Sequence, residues 1–125
     1  MKMKILWIDD EPDILYLCSA ILGKQGHKVY TLQSSKNLMN VLSENQPDVI
    51  LLDHWMPDMT GIEVTKKLKS SIYANIPVIM CTSNPEVKDE AKEAGADSFI
   101  TKPFSIHDIE NTILLAASMG KRAAS

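Results

Sequence analysis

The sequence predicts an α/β fold in which one parallel five-stranded sheet lies between two layers of helices. Strand and helix signals alternate five times within 125 residues, a length typical of a single domain. The runs at residues 5–8 and 49–52 are continuously apolar, as expected of strands that are buried on both faces. Because the connections between successive units are short, right-handed crossovers would place helices on both faces of the sheet.

Five short runs with strand character are interpreted as the strands. They cover residues 4–8, 28–32, 49–52, 77–81 and 98–101. The second run is polar enough to lie near an edge of the sheet, whereas the third is apolar until its last residue. A helical pattern follows each run, which favours parallel pairing throughout.

The first two helices are predicted from capping residues and apolar stripes. Pro12 suits the first turn of a helix that continues until Gly26. Its stripe at helical spacing consists of Ile14, Leu17, Cys18, Ile21 and Leu22. Ser34 or Ser35 is expected to cap the second helix, and Pro47 closes the loop that follows it. The apolar residues of this second helix are Leu38, Val41 and Leu42.

The remaining helices follow the third, fourth and fifth strands. The third is predicted over residues 62–70, and Asn84 with Pro85 starts a fourth that ends near Gly95. Ser105 is expected to cap the last helix. The inward residues of that helix are Ile106, Ile109, Ile113 and either Ala116 or Ala117. The five units therefore predict a doubly wound, flavodoxin-like sandwich with strand order 2-1-3-4-5.

Composition and charge exclude several classes of protein. The net charge is −3 and there is no basic block, so this domain is not expected to bind nucleic acid directly. No apolar run is long enough to span a membrane, and the opening Met-Lys-Met-Lys is too short for a signal peptide. Cys18 and Cys81 lie in apolar segments and are expected to be reduced core residues. A cytoplasmic location without a membrane partner is therefore predicted.

Three carboxylates follow two of the predicted strands. Asp9 and Asp10 come directly after the first strand, and Asp53 ends the third. Functional groups of an open α/β sheet collect outside the carboxyl ends of its strands, so these residues should share one edge. Three neighbouring anions would raise one another's pKa unless a cation joined them, and Mg²⁺ binds through carboxylate, water and phosphate oxygens. The sequence therefore predicts a Mg²⁺ site at this edge.

Two further strand ends reach the same edge. The fourth strand stops at Thr82 and the fifth at Lys102. Lys102 would add a positive charge to an acidic pocket, and Thr82 would add a hydroxyl donor. An aspartate among a divalent cation, a lysine and a hydroxyl is suited to attack phosphorus, with its carboxylate as the nucleophile. The product would be an aspartyl phosphate.

This pattern of residues resembles the receiver domain of two-component response regulators over essentially the whole chain. The matching features are Asp9-Asp10, Asp53-x-x-Met56-Pro57-x-x-x-Gly61, Thr82, Gly95-Ala96-Asp97 and Lys102-Pro103-Phe104. Each motif alone is weak, but their order and their places at the strand ends are specific. The domain is expected to cover residues 1–120, and residues 121–125 would be a tail or the start of a linker.

The resemblance implies a mechanism of phosphoryl transfer. Asp53 would accept a phosphoryl group from a phosphohistidine on a sensor histidine kinase or a histidine phosphotransfer protein. Asp10 and Asp53 would bind Mg²⁺ directly and Asp9 mainly through water, and the backbone carbonyl of Trp55 would be a further ligand. Lys102 would pair with the phosphate. The chain would not be an enzyme, beyond catalysing its own phosphorylation and a slow autodephosphorylation.

The resemblance also implies a switch. Thr82 would move to form a hydrogen bond with the phosphate. Phe99 lies at the position of an aromatic residue that turns inward in this family when the phosphate binds. The alternative is that Phe99 is a permanently buried core residue. The face built from the fourth helix, the fifth strand and the last helix would then control an output domain, a downstream protein or a phosphorylation-dependent homodimer. Between Thr82 and Lys102 the chain is slightly shorter than the family leads us to expect, and this shortening falls in the loop or the fourth helix.

Other interpretations remain open. A stand-alone phosphorelay intermediate would pass the phosphoryl group to a histidine phosphotransfer protein. A haloacid-dehalogenase-like phosphatase also uses a strand-end aspartate, but it needs Asp-x-Asp where this chain has Asp9-Asp10-Glu11-Pro12. A flavodoxin shares the topology, but its hydroxyl-rich phosphate loop after the first strand is missing. His54 is interpreted as filling the strand end rather than as a catalytic base, and Trp55 as a shield of the acyl phosphate against water.

Overall fold

The computed structural model describes residues 2–102 and 104–124, with the side chains of residues 117 and 119–124 left out of the description. Its sheet consists of β1 (Lys4–Ile8), β2 (Lys28–Leu32), β3 (Val49–Asp53), β4 (Val78–Thr82) and β5 (Ser98–Thr101). All neighbouring strands pair in parallel, in the order β2-β1-β3-β4-β5. The predicted flavodoxin-like fold and its strand order are therefore confirmed.

Helices connect the strands within the described residues. They are α1 (Pro12–Lys24), α2 (Leu38–Asn45), α3 (Gly61–Lys69), α4 (Lys88–Ala94) and α5 (Ile106–Ala124), and a 3-10 turn (Pro85–Val87) precedes α4. Their bounds differ from the predicted ones by a few residues at most, apart from the beginning of α2. None of these helices combines the length and the apolar character that a membrane crossing requires.

The sheet separates two apolar cores, because successive side chains of a strand point to opposite faces. The first, which we call the α1/α5 core, contains Ile5 and Trp7 of β1 together with residues of α1 and α5. The second, the α2–α4 core, contains Leu6 and Ile8 with residues of the three other helices. β3 is buried along its whole length, as its apolar sequence predicts. Cys18 and Cys81 are buried and free, as predicted.

Two predictions about the helices are wrong. Neither Ser34 nor Ser35 caps α2, which begins at Leu38 without a side-chain cap from its N-cap residue Asn37. The hydroxyl of Ser35 is instead bonded to a distant carboxylate, described below. Leu17 was placed in the inward stripe of α1, but it is 57% exposed. Leu15, which the predicted stripe does not include, is buried together with Cys18 and Leu22.

Other helix ends follow the predicted chemistry. The side chain of Asn84 accepts a hydrogen bond from the backbone N–H of Glu86, and Pro85 begins the turn. Ser105 caps α5, because its hydroxyl accepts a bond from the N–H of Asp108 at 3.1 Å. Ile109, Ile113 and Ala116 are buried as expected. The side chain of Ala117 lies outside the described residues.

Candidate functional site

The three predicted carboxylates meet at the carboxyl edge of the sheet. Asp9 and Asp10 directly follow β1, which pairs with β3, and Asp53 is the last residue of β3. One oxygen of each lies within 4.8 Å of the others. Asp9 is fully buried, Asp53 is 6% exposed, and Asp10 faces solvent. Three hard oxygen donors that converge in this way are consistent with a divalent-metal site, and their mutual repulsion would be relieved by the cation.

Lys102 already joins this cluster. The backbone N–H of Lys102 donates to the carbonyl of Thr82 at 2.8 Å, which fixes the residue beside the end of β4. Its Nζ donates to Asp9 Oδ2 at 2.9 Å and lies 3.7 Å from Asp53 Oδ1. Burial alone would lower the pKa of Lys102, but the hydrogen bond to Asp9 and the charge of Asp53 outweigh it and raise that pKa. The lysine is therefore a permanent cation of the site.

Asp53 is the carboxylate whose protonation the site perturbs most clearly. Burial raises its pKa to about 6, and the charge of Lys102 opposes that rise. The charges of Asp9 and Asp10 raise the pKa further, whereas the N–H of His54, which donates to Asp53 Oδ1 at 2.9 Å, lowers it. Asp53 is therefore mostly ionised at neutral pH, although its surroundings as a whole favour the protonated form.

The two residues predicted to form a switch lie on the other side of the sheet from Lys102. Thr82 is fully buried, and its hydroxyl accepts a bond from the N–H of Asn84 at 3.3 Å. Phe99 is half-buried and pairs in register with Met80 of β4. Its ring packs against the α2–α4 core, and it lines a cavity of about 230 Å³ beside Lys88. An unfilled space therefore adjoins the Phe99 ring.

The loop between β3 and α3 is closed by tight backbone contacts. The N–H of Gly61 donates to the carbonyl of His54 at 2.7 Å. A Cβ atom at Gly61 would lie 2.6 Å from the carbonyl oxygen of Asp53 and 2.7 Å from both Leu52 Cδ1 and Met80 Sδ. Only glycine can lie so close to these atoms, which explains why the stretch that begins at Asp53 has a glycine at position 61. Trp55 emerges from the closed loop with 57% of its surface exposed.

His54 does not take part in the acidic cluster. Its backbone supports Asp53, but its ring is buried and stacks edge-on against the Trp55 ring, with the centroids 4.6 Å apart. Burial lowers the pKa of His54, and the charges of Glu90 and Glu63 only partly oppose this effect. The imidazole is therefore neutral at pH 7, in agreement with its interpretation as a residue that fills the strand end.

An apolar groove beside the site is a feature that no sequence pattern predicts. The groove has a volume of about 450 Å³ and begins at Lys102 and Ser83. It is lined by Glu11, Ile14, Leu17, Cys18, Ile21, Ser83, Lys102, Phe104 and Ile106. Gln25, at the end of α1, donates a hydrogen bond to Glu110 of α5 at 2.8 Å. Leu17 was predicted to be a core residue because helical periodicity cannot distinguish a groove wall from a core.

Comparisons with known proteins agree with this geometry. A family model described as the response regulator receiver domain matches residues 5–114. The chain is 33% identical over 120 residues to the transcriptional regulatory protein KdpE of Mycobacterium tuberculosis, covering 96% of this chain and 53% of the relative. It is 34% identical over 115 residues to the sporulation initiation phosphotransferase F of Bacillus subtilis, covering 90% of this chain and 92% of the relative.

Solved structures lead to the same group of proteins. A response regulator receiver domain protein from Clostridium thermocellum superposes with a TM-score of 0.86 at 30% identity, covering 96% of this chain and 98% of that one. The chemotaxis response regulator CheY4 of Vibrio cholerae gives a TM-score of 0.84 at 31% identity, covering 93% of this chain and 99% of that one. The chain spans about half the length of the KdpE relative and nearly all of phosphotransferase F.

Proposed function

Because the chain belongs to the response regulator receiver domain family, we propose that Asp53 takes a phosphoryl group from a phosphohistidine of a sensor histidine kinase. Receiver domains are signalling domains, and the only reactions we propose for this one are its own phosphorylation and a slow autodephosphorylation. The observation that carries the proposal is the convergence of Asp9, Asp10, Asp53 and Lys102 at one edge of the sheet. A surface aspartate without such neighbours would have no means of stabilising the transferring group.

The transfer would proceed by displacement at phosphorus. An oxygen of Asp53, ionised at neutral pH because its pKa is about 6, attacks the phosphorus atom of the donor. The new O–P bond forms while the P–N bond to the donor's imidazole breaks, and the imidazole leaves with the electron pair. Asp10, Asp53 and the backbone carbonyl of Trp55 would hold Mg²⁺, with Asp9 bonded through water, and the ion would neutralise charge on the phosphoryl oxygens.

Lys102 would stabilise the same charge with its ammonium group. Its Nζ lies 3.7 Å from Asp53 Oδ1, so a phosphoryl group on Asp53 would enter the reach of the ammonium without rearrangement of the backbone. The bond to Asp9 at 2.9 Å holds the ammonium in place until then. A pre-positioned cation of this kind favours the charge that develops during transfer.

The phosphorylated state would be read on the face of α4, β5 and α5. Thr82 would move its hydroxyl from the N–H of Asn84 towards the phosphate, and Phe99 would turn into the vacated space. The cavity that adjoins Phe99 lies beside Lys88 and Ala91 of α4, so this face has space in which side chains could repack. The altered face would control an output domain or a downstream protein, or it would mediate a phosphorylation-dependent homodimer. We assign residues 1–120 to the receiver domain and residues 121–125 to a tail or the start of a linker.

The apolar groove between α1 and α5 supports a protein as the donor. It begins beside Lys102, so a helix that carries the phosphohistidine would cover Leu17 while its imidazole reached Asp53. A domain that receives its phosphoryl group in this way would act in the cytoplasm. The similarity to phosphotransferase F favours a second candidate, in which this domain is a phosphorelay intermediate that passes the phosphoryl group to a histidine phosphotransfer protein.

The proposal is tested by intact-mass measurement with Mg²⁺ and a small phosphodonor such as acetyl phosphate. The wild-type chain should gain one phosphoryl group, which hydroxylamine should remove because it is an acyl phosphate. Asp53→Asn should gain none, since the amide is not a nucleophile for this step. Equal labelling of both proteins would refute the assignment of Asp53.

A further inference from the structure

A pair of residues outside the acidic cluster joins the loop after β2 to the loop after β3. The backbone N–H of Ser35 donates to Asp58 Oδ1 at 3.3 Å, and the Ser35 hydroxyl donates to Asp58 Oδ2. The same hydroxyl lies 3.6 Å from Met59 Sδ. We call this pair the loop clasp. Its partners are 23 residues apart in the sequence, so it is a tertiary link rather than a local turn.

The clasp is the hydrogen-bonded link to the middle of the β3–α3 loop, whose Met56 and Met59 also pack against the α2–α4 core. The ends of that loop are fixed by the bond from Gly61 to His54 and by the reciprocal bonds of Thr60 with Glu63. Among the hydrogen bonds of the described residues, those that join residues 55–59 to another segment all end on Ser35. Trp55, whose carbonyl we assign as a metal ligand, lies within this stretch.

The Ser35 side of the clasp is itself anchored. The carbonyl of Ser35 accepts a bond from the N–H of Leu38 at 3.2 Å, and Leu38 is buried in the α2–α4 core. The hydroxyl of Ser34 accepts a bond from the N–H of Lys36, which shapes the same turn but does not touch the β3–α3 loop. Ser35 is thus a fixed point to which the more exposed Asp58 is attached.

The charge of Asp58 suits this role. The hydrogen bond from the Ser35 hydroxyl lowers the pKa of Asp58, and burial opposes this without cancelling it. Asp58 therefore stays ionised throughout the neutral range, and a hydrogen bond to an ionised acceptor is stronger than one between neutral groups.

We propose that Ser35 and Asp58 are positioning residues for the divalent cation of the phosphorylation site. The clasp restricts residues 55–59 before the cation arrives, so the Trp55 carbonyl does not have to be ordered at the moment of binding. Ordering a free loop costs conformational entropy, which would appear directly as weaker binding. The inference rests on the proposed function, because it assigns a task in the same site to residues that do not touch the cation.

The test is a Mg²⁺ titration by calorimetry and by Trp55 fluorescence. Ser35→Ala and Asp58→Ala should each bind Mg²⁺ more weakly by roughly three- to tenfold, the range expected when a preorganised loop must be ordered on binding. The double variant Ser35→Ala/Asp58→Ala should have the same Mg²⁺ affinity as the single variant that binds Mg²⁺ less tightly, because either substitution alone already opens the clasp. Ser35→Thr keeps the hydroxyl and should restore binding. Urea unfolding without Mg²⁺ verifies that each variant is folded.

Two matched controls separate the clasp from general effects. Ser34→Ala removes the neighbouring hydroxyl of the same turn and should leave Mg²⁺ affinity unchanged. Glu93→Gln removes an exposed carboxylate of α4 and measures the effect of net charge alone. Because Ser35→Ala changes no charge, its effect should also survive at high salt, which screens exposed charges.

The outcomes distinguish the clasp from the function on which it rests. If the wild-type protein binds Mg²⁺ and Asp10→Ala abolishes that binding, but Ser35→Ala binds as tightly as wild type, the clasp is overturned and the site stands. Additive losses in the double variant would also overturn it, since the two residues would then act separately. If the wild-type protein binds no Mg²⁺, the clasp and the proposed metal site are refuted together.

Discussion

Replacing Gly61 by alanine should destabilise the protein, although alanine is normally the better helix former. Gly61 is the first residue of α3, where alanine would gain up to about 1 kcal/mol over glycine. The added Cβ would, however, lie within 2.7 Å of three atoms, one of them the backbone oxygen of Asp53. Separations this short force buried groups to move, and overpacking of a well-packed site typically costs about 1–3 kcal/mol. We expect a net loss of roughly 1–2 kcal/mol in the free energy of unfolding.

Gly23→Ala is the matched control for this prediction. Gly23 lies in the last turn of α1, and no heavy atom approaches within 4 Å of the Cβ that alanine would add. This substitution should leave stability unchanged or raise it by a few tenths to about 1 kcal/mol. The two substitutions are chemically identical, so opposite signs would isolate the effect of the close approach.

Urea unfolding followed by far-ultraviolet circular dichroism measures both free energies on the same scale. A Gly61→Ala protein as stable as wild type would show that the β3–α3 loop can retreat from Asp53 without cost. The rigid closure of this loop, on which the geometry of the acidic edge depends, would then be wrong. Loss of stability with Mg²⁺ affinity retained would restrict the role of Gly61 to packing.

Three further predictions concern the acidic edge and the switch. The folded-state pKa of Asp53, about 6, exceeds that of an unfolded aspartate. In the metal-free protein, Asp53 therefore stays protonated up to a higher pH in the folded state than in the unfolded state. Stability should therefore fall as pH rises from about 4 to about 6, and Asp53→Asn should be more stable than wild type by about 2–3 kcal/mol at pH 7 but not at pH 4. Mg²⁺ should change the indole fluorescence of Trp55, and Asp10→Ala should abolish the change. A beryllofluoride phosphate mimic should shift amide resonances along residues 82–107 as well as around the acceptor, and Thr82→Ala should shrink the distant shifts while it keeps the acceptor labelled.

Each of these three predictions would be contradicted by a specific result. Equal stability of wild type and Asp53→Asn at pH 7 would mean that burial of the carboxylate costs nothing. Emission that stays flat while calorimetry records Mg²⁺ binding would contradict a ligand in the Trp55 loop; Trp7, fully buried in the α1/α5 core, serves as the internal reference. Distant shifts of undiminished size in Thr82→Ala would disprove the coupling to Phe99.

The fold and the position of the acidic edge could be predicted because each depends on local pattern and strand direction. The carboxyl ends of parallel strands lie at one edge of the sheet, so Asp9, Asp53 and Lys102 share that edge once the strand directions are known. The beginning of α2 was wrong because Ser35, a good local cap, bonds to Asp58, and a bond over 23 residues leaves no mark on sequence pattern. The resting partner of Lys102 was likewise not foreseen, since it depends on side-chain distances.

The partners of this domain depend on more than the geometry of its own residues. Geometry explains why the pKa of Asp53 is raised and why Lys102 is charged, and it gives the distance between them. The identity of the donor and of the protein that reads the switch depends on surfaces of other molecules. Neither the apolar stripe of α1 nor the sequence of β5 encodes those surfaces.

The division of the interior into two cores has a consequence for where other proteins could bind this domain. Lys102 and the groove along α1 lie over the α1/α5 core, whereas Phe99 and its cavity lie over the α2–α4 core. In the proposed function, the phosphodonor would bind over the α1/α5 core, whereas Phe99 would move over the α2–α4 core. A donor seated in the groove would leave the surface of α4 uncovered, so a protein that binds α4 could arrive before the donor dissociates. The switch would couple the two faces of the sheet at the ends of the neighbouring strands β3 and β4, from Asp53 to Thr82.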